Sequence, residues 1–338
     1  MNAPAAWKQR PEGGGRRAIA LIAAIARHGG RGIARLCLYP ITLYFLVMRG
    51  PERRASRAWL SRVRGRRAGV LAVARHIHCF ASTILDRLFL LGGQLRHFDI
   101  HVHGLAPLEA LVDQGRGVLL FGSHLGSFDA LRILSRRRPG LVVRIVLDRT
   151  QNPVLTELFD RLDPVLAAGV IDGSQDGPSI ALEIQRSLED GALVALLVDR
   201  SQPHEDTVPV PFVDGTARFP LTPWRLAVAL HAPVLLCFGL YAGGNRYDLY
   251  FEPFLEGGTA HLPPRAQRAR VLGEWVARYA TRLEHHARRA PTNWFNFFDF
   301  WNADVPDAAP HAAPRPVPQD PSLDAAAVRV RTAERSGT

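Results

Sequence analysis

The chain has 338 residues, 47% of them apolar, enough for one large α/β domain or two small ones and too many for a chain unable to build a core. Its three cysteines, Cys37, Cys79 and Cys237, lie in apolar surroundings with no C-x-x-C pair, which argues against a disulfide scaffold or a zinc site and for a reducing compartment. The net charge of +11 is unevenly placed: residues 1–75 hold 16 Lys/Arg against Glu12 and Glu52, a net +14, leaving −3 for residues 76–338. A basic arm of this kind seeks an anionic partner, either nucleic acid or a membrane surface.

What lies between those charges favours the membrane. Residues 1–17 are rich in Pro, Gly and Arg and are expected to be disordered. Ala18–Ala26 and Leu36–Met48 are uncharged apolar runs, each shorter than the roughly 20 residues that span a bilayer. No small-residue cleavage site follows a compact apolar stretch, so no removed signal peptide is expected. Arg27, Arg31 and Arg35 recur every four residues and so share one helix face. With Tyr39, Tyr44 and Phe45 alongside, the arm reads as helices lying in a membrane interface, kinked at Pro40. The eight arginines of Arg53–Arg75 extend that basic surface, and only Trp59 interrupts them with an aromatic ring, so single-stranded nucleic acid is not the expected partner.

From residue 76 the pattern becomes α/β. Val70–Leu91 reads as an apolar helix, the alternation in His97–His103 as a strand, and 107–114 as a helix. His97, His101 and His103 lack an accompanying carboxylate cluster, so no metal is expected. Val118–Asp129, VLLFGSHLGSFD, is the centre of the chain: a buried strand runs into Gly122 and Ser123, His124 sits at the turn, and a helix is predicted over 127–135. Ser127 is placed to cap that helix, with Asp129 in its first turn. A tight turn would fold Asp129 onto His124, fix the tautomer and leave the other ring nitrogen as a base.

Two further strands end in charge. Leu141–Leu147 ends in Asp148-Arg149 ahead of a helix opened by Asn152-Pro153, and Leu193–Val198 ends in Asp199-Arg200. Chemistry in open α/β sheets gathers at the carboxyl ends of strands, so His124, Arg149 and Asp199-Arg200 together suggest a site for an anionic substrate. Residues 208–220 read as a Pro/Gly-rich segment, 222–231 as a helix, 234–240 and 246–252 as a hairpin across Gly243-Gly244, and 264–290 as a long basic helix. The aromatic cluster PTNWFNFFDFW, Pro291–Trp301, follows, and the Ala/Pro-rich remainder, 302–338, is expected to be disordered. With no G-x-G-x-x-G and no P-loop, a nucleotide is not indicated and no cofactor is expected.

These pieces resemble a known family. GSHLGSFD resembles the H-x-x-x-x-(D/E) block of the lysophospholipid acyltransferase-like superfamily, and its surroundings resemble the lipid A late-acyltransferase branch, the lauroyl/myristoyl transferases. The similarity runs from about Ile33 to Trp301 and takes in Asn152-Pro153, Asp199 after LVALLV, VPFVDGTARFPLTPWRLAVALHAPVLLCFGLY and the closing PTNWFNFFDFW. It implies a mixed central sheet flanked by helices, with a membrane-associating helical arm over 18–75, an acyltransferase domain over 76–301 and a location on the cytoplasmic face of an inner membrane. It implies an acyl-carrier-protein thioester as donor and a lipid hydroxyl as acceptor. His124 and Asp129 are then the catalytic pair, and Arg149 and Asp199 line the substrate; Arg200, from its place at a strand end, and Ser123, beside His124, are added to that substrate-lining set, and Ser123 lacks a G-x-S-x-G elbow and is not a nucleophile. Asp129 stands where many lipid A enzymes carry Glu, which leaves the acceptor's identity open. Two other readings remain. One is a catalytically silent membrane scaffold. The other is an acyl-CoA-dependent glycerophospholipid enzyme, whose F-P-E-G-(T/S) block is missing where VDGTARFP stands.

Overall fold

A computed structural model describes residues 16–134, 138, 140–149, 169–202, 205–258, 264–301 and 328–329. Four helices come first: α1 (Arg16–Leu36), α2 (Leu38–Met48), α3 (Gly50–Arg64) and α4 (Val70–Leu91). The body then alternates β1 (Asp99–His103), α5 (Ala106–Asp113), β2 (Val118–Gly122), β3 (Val143–Leu147), β4 (Val170–Asp172), α6 (Gly177–Glu189) and β5 (Leu193–Leu197). It closes with β6 (Thr207–Pro211), β7 (Thr216–Pro220), α7 (Thr222–Ala229), β8 (Val234–Gly243), β9 (Arg246–Leu255) and α8 (Arg268–Arg289).

Seven of these strands form the central sheet in the order β1-β9-β8-β2-β5-β3-β4, with a two-residue strand, Val328–Arg329, antiparallel to β1 at its edge. β8, β2, β5, β3 and β4 run parallel, while β9 is antiparallel to β8 and β1 follows β9, so the sheet is mixed. A strand in the middle of such a sheet is covered on both faces, and Val118, Leu119, Leu120 and Phe121 are fully buried. Leu119 and Phe121 join one core with Trp59 of α3, Trp224 of α7 and Tyr279 of α8; Val118 and Leu120 join the other with Ala34 of α1, Phe89 of α4 and Leu108 of α5.

Local chemistry explains where elements stop. Asp176 caps α6 by accepting the Ser179 backbone N–H at 3.0 Å, with Pro178 in the first turn. α3 ends at Gly65, which adopts the left-handed conformation (φ 62) that suits glycine after a helix.

Several expectations are corrected. The segment expected as a helix over 127–135 opens as a 3-10 turn, Phe128–Arg132, with helical residues 133–134 after it and residue 135 outside the described residues, and the Ser127 hydroxyl makes no capping bond. β6 and β7, expected only as a Pro/Gly-rich segment, pair as a separate antiparallel hairpin. The arginine stripe does not all face outward: Arg31 forms a two-pronged pair with Asp86 of α4 (Nε–Oδ1 2.8 Å, Nη2–Oδ2 2.9 Å), and Arg35 donates to the Tyr241 hydroxyl at 2.9 Å. Tyr247 donates to the same Asp86 carboxylate at 2.9 Å, so α1 is stapled through α4 to the sheet. No single helix among the described residues is long and apolar enough to cross a membrane; Leu21–Leu36 and Leu38–Met48 meet that length and composition only as a pair bent by 57°. The Asn152-Pro153 helix start, residues 1–15 and most of 302–338 lie outside the described residues.

Candidate active site

β2 and β5 are parallel neighbours in a register that sets Gly122 beside Leu197. Their next residues therefore emerge at the same sheet edge, and this brings His124 to Asp199 across 75 positions of sequence. Asp199 Oδ1 lies 2.8 Å from His124 Nδ1 and also accepts the His124 backbone N–H at 3.1 Å. A carboxylate only accepts, so Nδ1 carries the proton and Nε2 keeps its lone pair. Asp199 is fully buried, whereas the His124 side chain is 28% exposed. One end of the ring is thus fixed inside the protein and the ring still reaches the surface.

The carboxylate expected on that ring is elsewhere. Asp129 accepts from Arg87 Nε of α4 at 2.6 Å, a partly buried ion pair that anchors the 3-10 turn to the helix. The turn does not fold Asp129 back onto His124 because residues 125–127 are pinned between two other segments. Leu125 pairs antiparallel with Trp294, Gly126 donates to the Asn293 carbonyl at 2.8 Å, and Ser127 donates to the Gly239 carbonyl at 2.7 Å. Gly126 has φ +75, and a Cβ there would stand 1.9 Å from the Gly239 oxygen, so the crossing admits only glycine.

The aromatic cluster forms the frame of the site. Phe295 donates its backbone N–H to the His124 carbonyl at 2.9 Å, and Asn296 donates from Nδ2 to Asp199 Oδ2 at 3.0 Å. Arg200 donates from Nε to Asn296 Oδ1 at 2.5 Å and from Nη2 to the Phe295 carbonyl at 3.2 Å, with its guanidinium over the Phe298 ring. Asn293 closes a second pair of bonds with the Tyr241 backbone, at 2.7 and 3.1 Å. Behind the segment, fully buried His76 of α4 lies 2.6 Å from the Trp294 carbonyl and 2.8 Å from the Ser56 hydroxyl of α3. The carbonyl requires His76 to donate from Nε2, so Nδ1 accepts from Ser56. From α8, Tyr279 donates to the Gly122 carbonyl at 3.0 Å and holds the end of β2.

The charges follow from this packing. Burial and the nearby Arg200 charge lower the His124 pKa below the ordinary imidazole value, while Asp199 pulls it partly back up. Burial pushes the Asp199 pKa up, but His124, Arg200 and Asn296 outweigh it and hold the carboxyl at about 2. Burial lowers Arg200 to about 10. At neutral pH the assembly is therefore a neutral imidazole on a permanent carboxylate, the arrangement of a general base with its orienting group.

Three placements differ from the substrate-lining role expected of them. Asp199 is spent on His124 and Asn296, Arg200 on the closing segment, and Ser123 is buried. Arg149 does emerge at the same edge, two strands from His124, with its backbone N–H 3.5 Å from Asp172 Oδ1. Asn296, Asn293, Phe295 and Arg87 carry site contacts that sequence reading assigned to no role. The density of aromatic residues around the two asparagines was the available signal.

A sequence model of one family, described as bacterial lipid A biosynthesis acyltransferase, matches residues 94–302. The match begins after α4 and ends one residue beyond Trp301, so it spans the whole strand-edge assembly and leaves out the four N-terminal helices. No curated protein matches the chain.

Proposed function

The chain belongs to the bacterial lipid A biosynthesis acyltransferase family, an acyltransferase family acting on lipid A, and we propose that it moves a fatty acyl group from an acyl-carrier-protein thioester to a hydroxyl of a lipid A precursor or related inner-membrane lipid. The observation that carries this reading is the His124–Asp199 pair, a neutral, oriented imidazole at the carboxyl ends of two parallel strands. His124 Nε2 takes the acceptor hydroxyl's proton as that oxygen attacks the thioester carbonyl. The carbon–sulfur bond then breaks and the departing thiolate takes the proton back from the imidazolium. Asp199 stabilises the imidazolium between these steps, and general-base assistance of this kind contributes roughly 10²–10⁴-fold. Asp129, paired with Arg87, acts as a positioning residue for the 125–132 segment. Arg149 is suited to a phosphate at the same edge, since a guanidinium can bind one bidentately.

For location, the reading places the protein on the cytoplasmic face of the inner membrane. Its support is the outer face of α2, where Tyr39, Leu43, Tyr44, Val47 and Met48 are exposed together, beside the arginines of α3. Aromatic and aliphatic side chains with flanking cations suit a membrane interface.

The test is lipid mass spectrometry of cells with and without the protein, alongside a His124→Ala variant. One lipid species should gain an acyl group only when His124 is intact. An unchanged lipid profile in all three strains would favour a non-catalytic scaffold, and acylation that needs acyl-CoA in place of the carrier protein would change the donor.

A further inference from the structure

A further concave surface borders the closing segment. A cleft of about 870 Å³ opens between α3 and residues 298–301, and Arg54, Arg62, Arg66, Arg67, Trp59 and Trp301 are among its lining residues. Asp299 is the single carboxylate among the described lining residues, and it accepts the Trp301 backbone N–H at 3.3 Å. Arg62 is fixed as part of the wall: it lies 4.5 Å above the Trp301 ring and donates to the Asp214 carbonyl at 3.1 Å. Arg54, Arg66 and Arg67 are exposed and have no carboxylate partner among the described residues.

Scattered surface arginines are ordinary, but these converge. Arg54 lies in the second turn of α3, and the left-handed turn at Gly65 returns Arg66 and Arg67 to the same hollow. Mutually repelling cations gathered over an aromatic floor are stabilised when an anion joins them, and guanidinium groups hold phosphate oxygens with paired, charge-assisted bonds. The cleft also opens at a definite depth. Pro51 lines it three residues after Met48, the end of the exposed apolar face of α2. With that face in acyl chains, the arginines stand at headgroup level. The far wall is residues 298–301 of the same segment whose Phe295 and Asn296 bond His124 and Asp199.

We propose that this cleft binds the phosphate of the acceptor lipid's headgroup, holding the lipid by its charge while a hydroxyl is delivered to the strand edge. The inference rests on the acyl-transfer reading above for the identity of the acceptor.

The experiment measures binding of a lipid A precursor in mixed micelles, before and after phosphatase treatment, to proteins carrying His124→Ala so that no turnover intervenes. Arg54→Ala/Arg66→Ala/Arg67→Ala should weaken binding of the phosphorylated form by about tenfold or more, as expected for several lost charge-assisted bonds, and abolish the preference for it over the dephosphorylated form. The same triple change on an intact His124 background should raise the acceptor KM. Arg54→Lys/Arg66→Lys/Arg67→Lys should recover part of the preference, which separates lost charge from damaged folding. A preference unchanged by the alanine triple overturns the proposal. So does a rise in the carrier-protein KM alone, which would make the cleft a docking site for the donor. Lost binding to phosphatidylglycerol vesicles with the precursor preference intact would make it a general membrane contact and overturn the proposal as well. Because the binding arm needs no turnover, failure of the cleft and failure of the acyl-transfer reading give different results.

Discussion

Asp86 and Asp199 are both fully buried carboxylates, and the company each keeps separates the assembly of this protein from its chemistry. Asp86 faces Arg31 and the Tyr247 hydroxyl, partners whose charge state does not change near neutral pH, and it joins α1 and α4 to the sheet. Asp199 faces an imidazole, the one side chain whose ordinary pKa lies in that range, together with Asn296 and the Arg200 charge. A buried ion pair with a fixed partner is a staple. The same carboxylate against a titratable partner becomes a device for holding and releasing a proton.

The comparison breaks most severely at Asp199. Asp199→Asn keeps the shape of the side chain but admits the wrong imidazole tautomer, and kcat should fall by roughly 10³–10⁴-fold, the scale seen when a base loses its orienting carboxylate. Asp129→Asn should cost far less, because Asp129 bonds Arg87 and leaves the ring untouched. Steady-state acyl transfer by the two purified variants checks this. A larger loss in Asp129→Asn would return the orienting role to the carboxylate five residues from His124.

Asp86→Asn sharpens the other half. It leaves the Arg31 guanidinium, only 14% exposed, without its counter-charge, which should destabilise the fold by roughly 3 kcal/mol. Denaturant unfolding measures that loss, and the pH dependence of the remaining activity should match the wild type. A pH profile that moves with Asp86→Asn would show that the two regions are not separate.

The sequence made these two regions unequally legible. The strands β2, β3 and β5 could be read from short apolar runs, because parallel strands buried on both faces need continuous hydrophobic residues. That His124, Arg149 and Asp199 stand at strand ends followed from the same runs; that those strands are neighbours comes from the sheet order. Which carboxylate meets His124 did not follow, since local spacing favours Asp129 whereas the β2–β5 register supplies Asp199 from 75 residues away. The role of Asn296 was hidden for a related reason: a segment distant in sequence reaches the site only after the aromatic cluster packs against Trp59 and Phe212. In the arm, the spacing of Arg31 and Arg35 correctly placed them on one face. It carried no sign of whether that face met lipid or Asp86.

The smallest effect is the most specific to the pair. Only neutral His124 can accept a proton, so kcat/KM should be level at neutral pH and fall as acid protonates the ring. Burial and the Arg200 charge both lower the His124 pKa, so the midpoint of that fall should lie below the ordinary imidazole value of about 6.5. Arg200→Gln removes the larger of the two charges, Arg200 and Arg87, that lower the His124 pKa and leaves Asp199 in place, so its acid limb should move to higher pH. The amide keeps a hydrogen-bond donor for the Asn296 and Phe295 oxygens that Arg200 now holds, which limits the disturbance to the closing segment. A limb that moves to lower pH would mean that Arg200 acts on His124 chiefly by positioning Asn296 and Asp199, because weakening the Asp199 contact lowers the ring's pKa. A pH–rate profile of the two proteins, at saturating and limiting acceptor, therefore distinguishes charge from geometry at a residue that touches both.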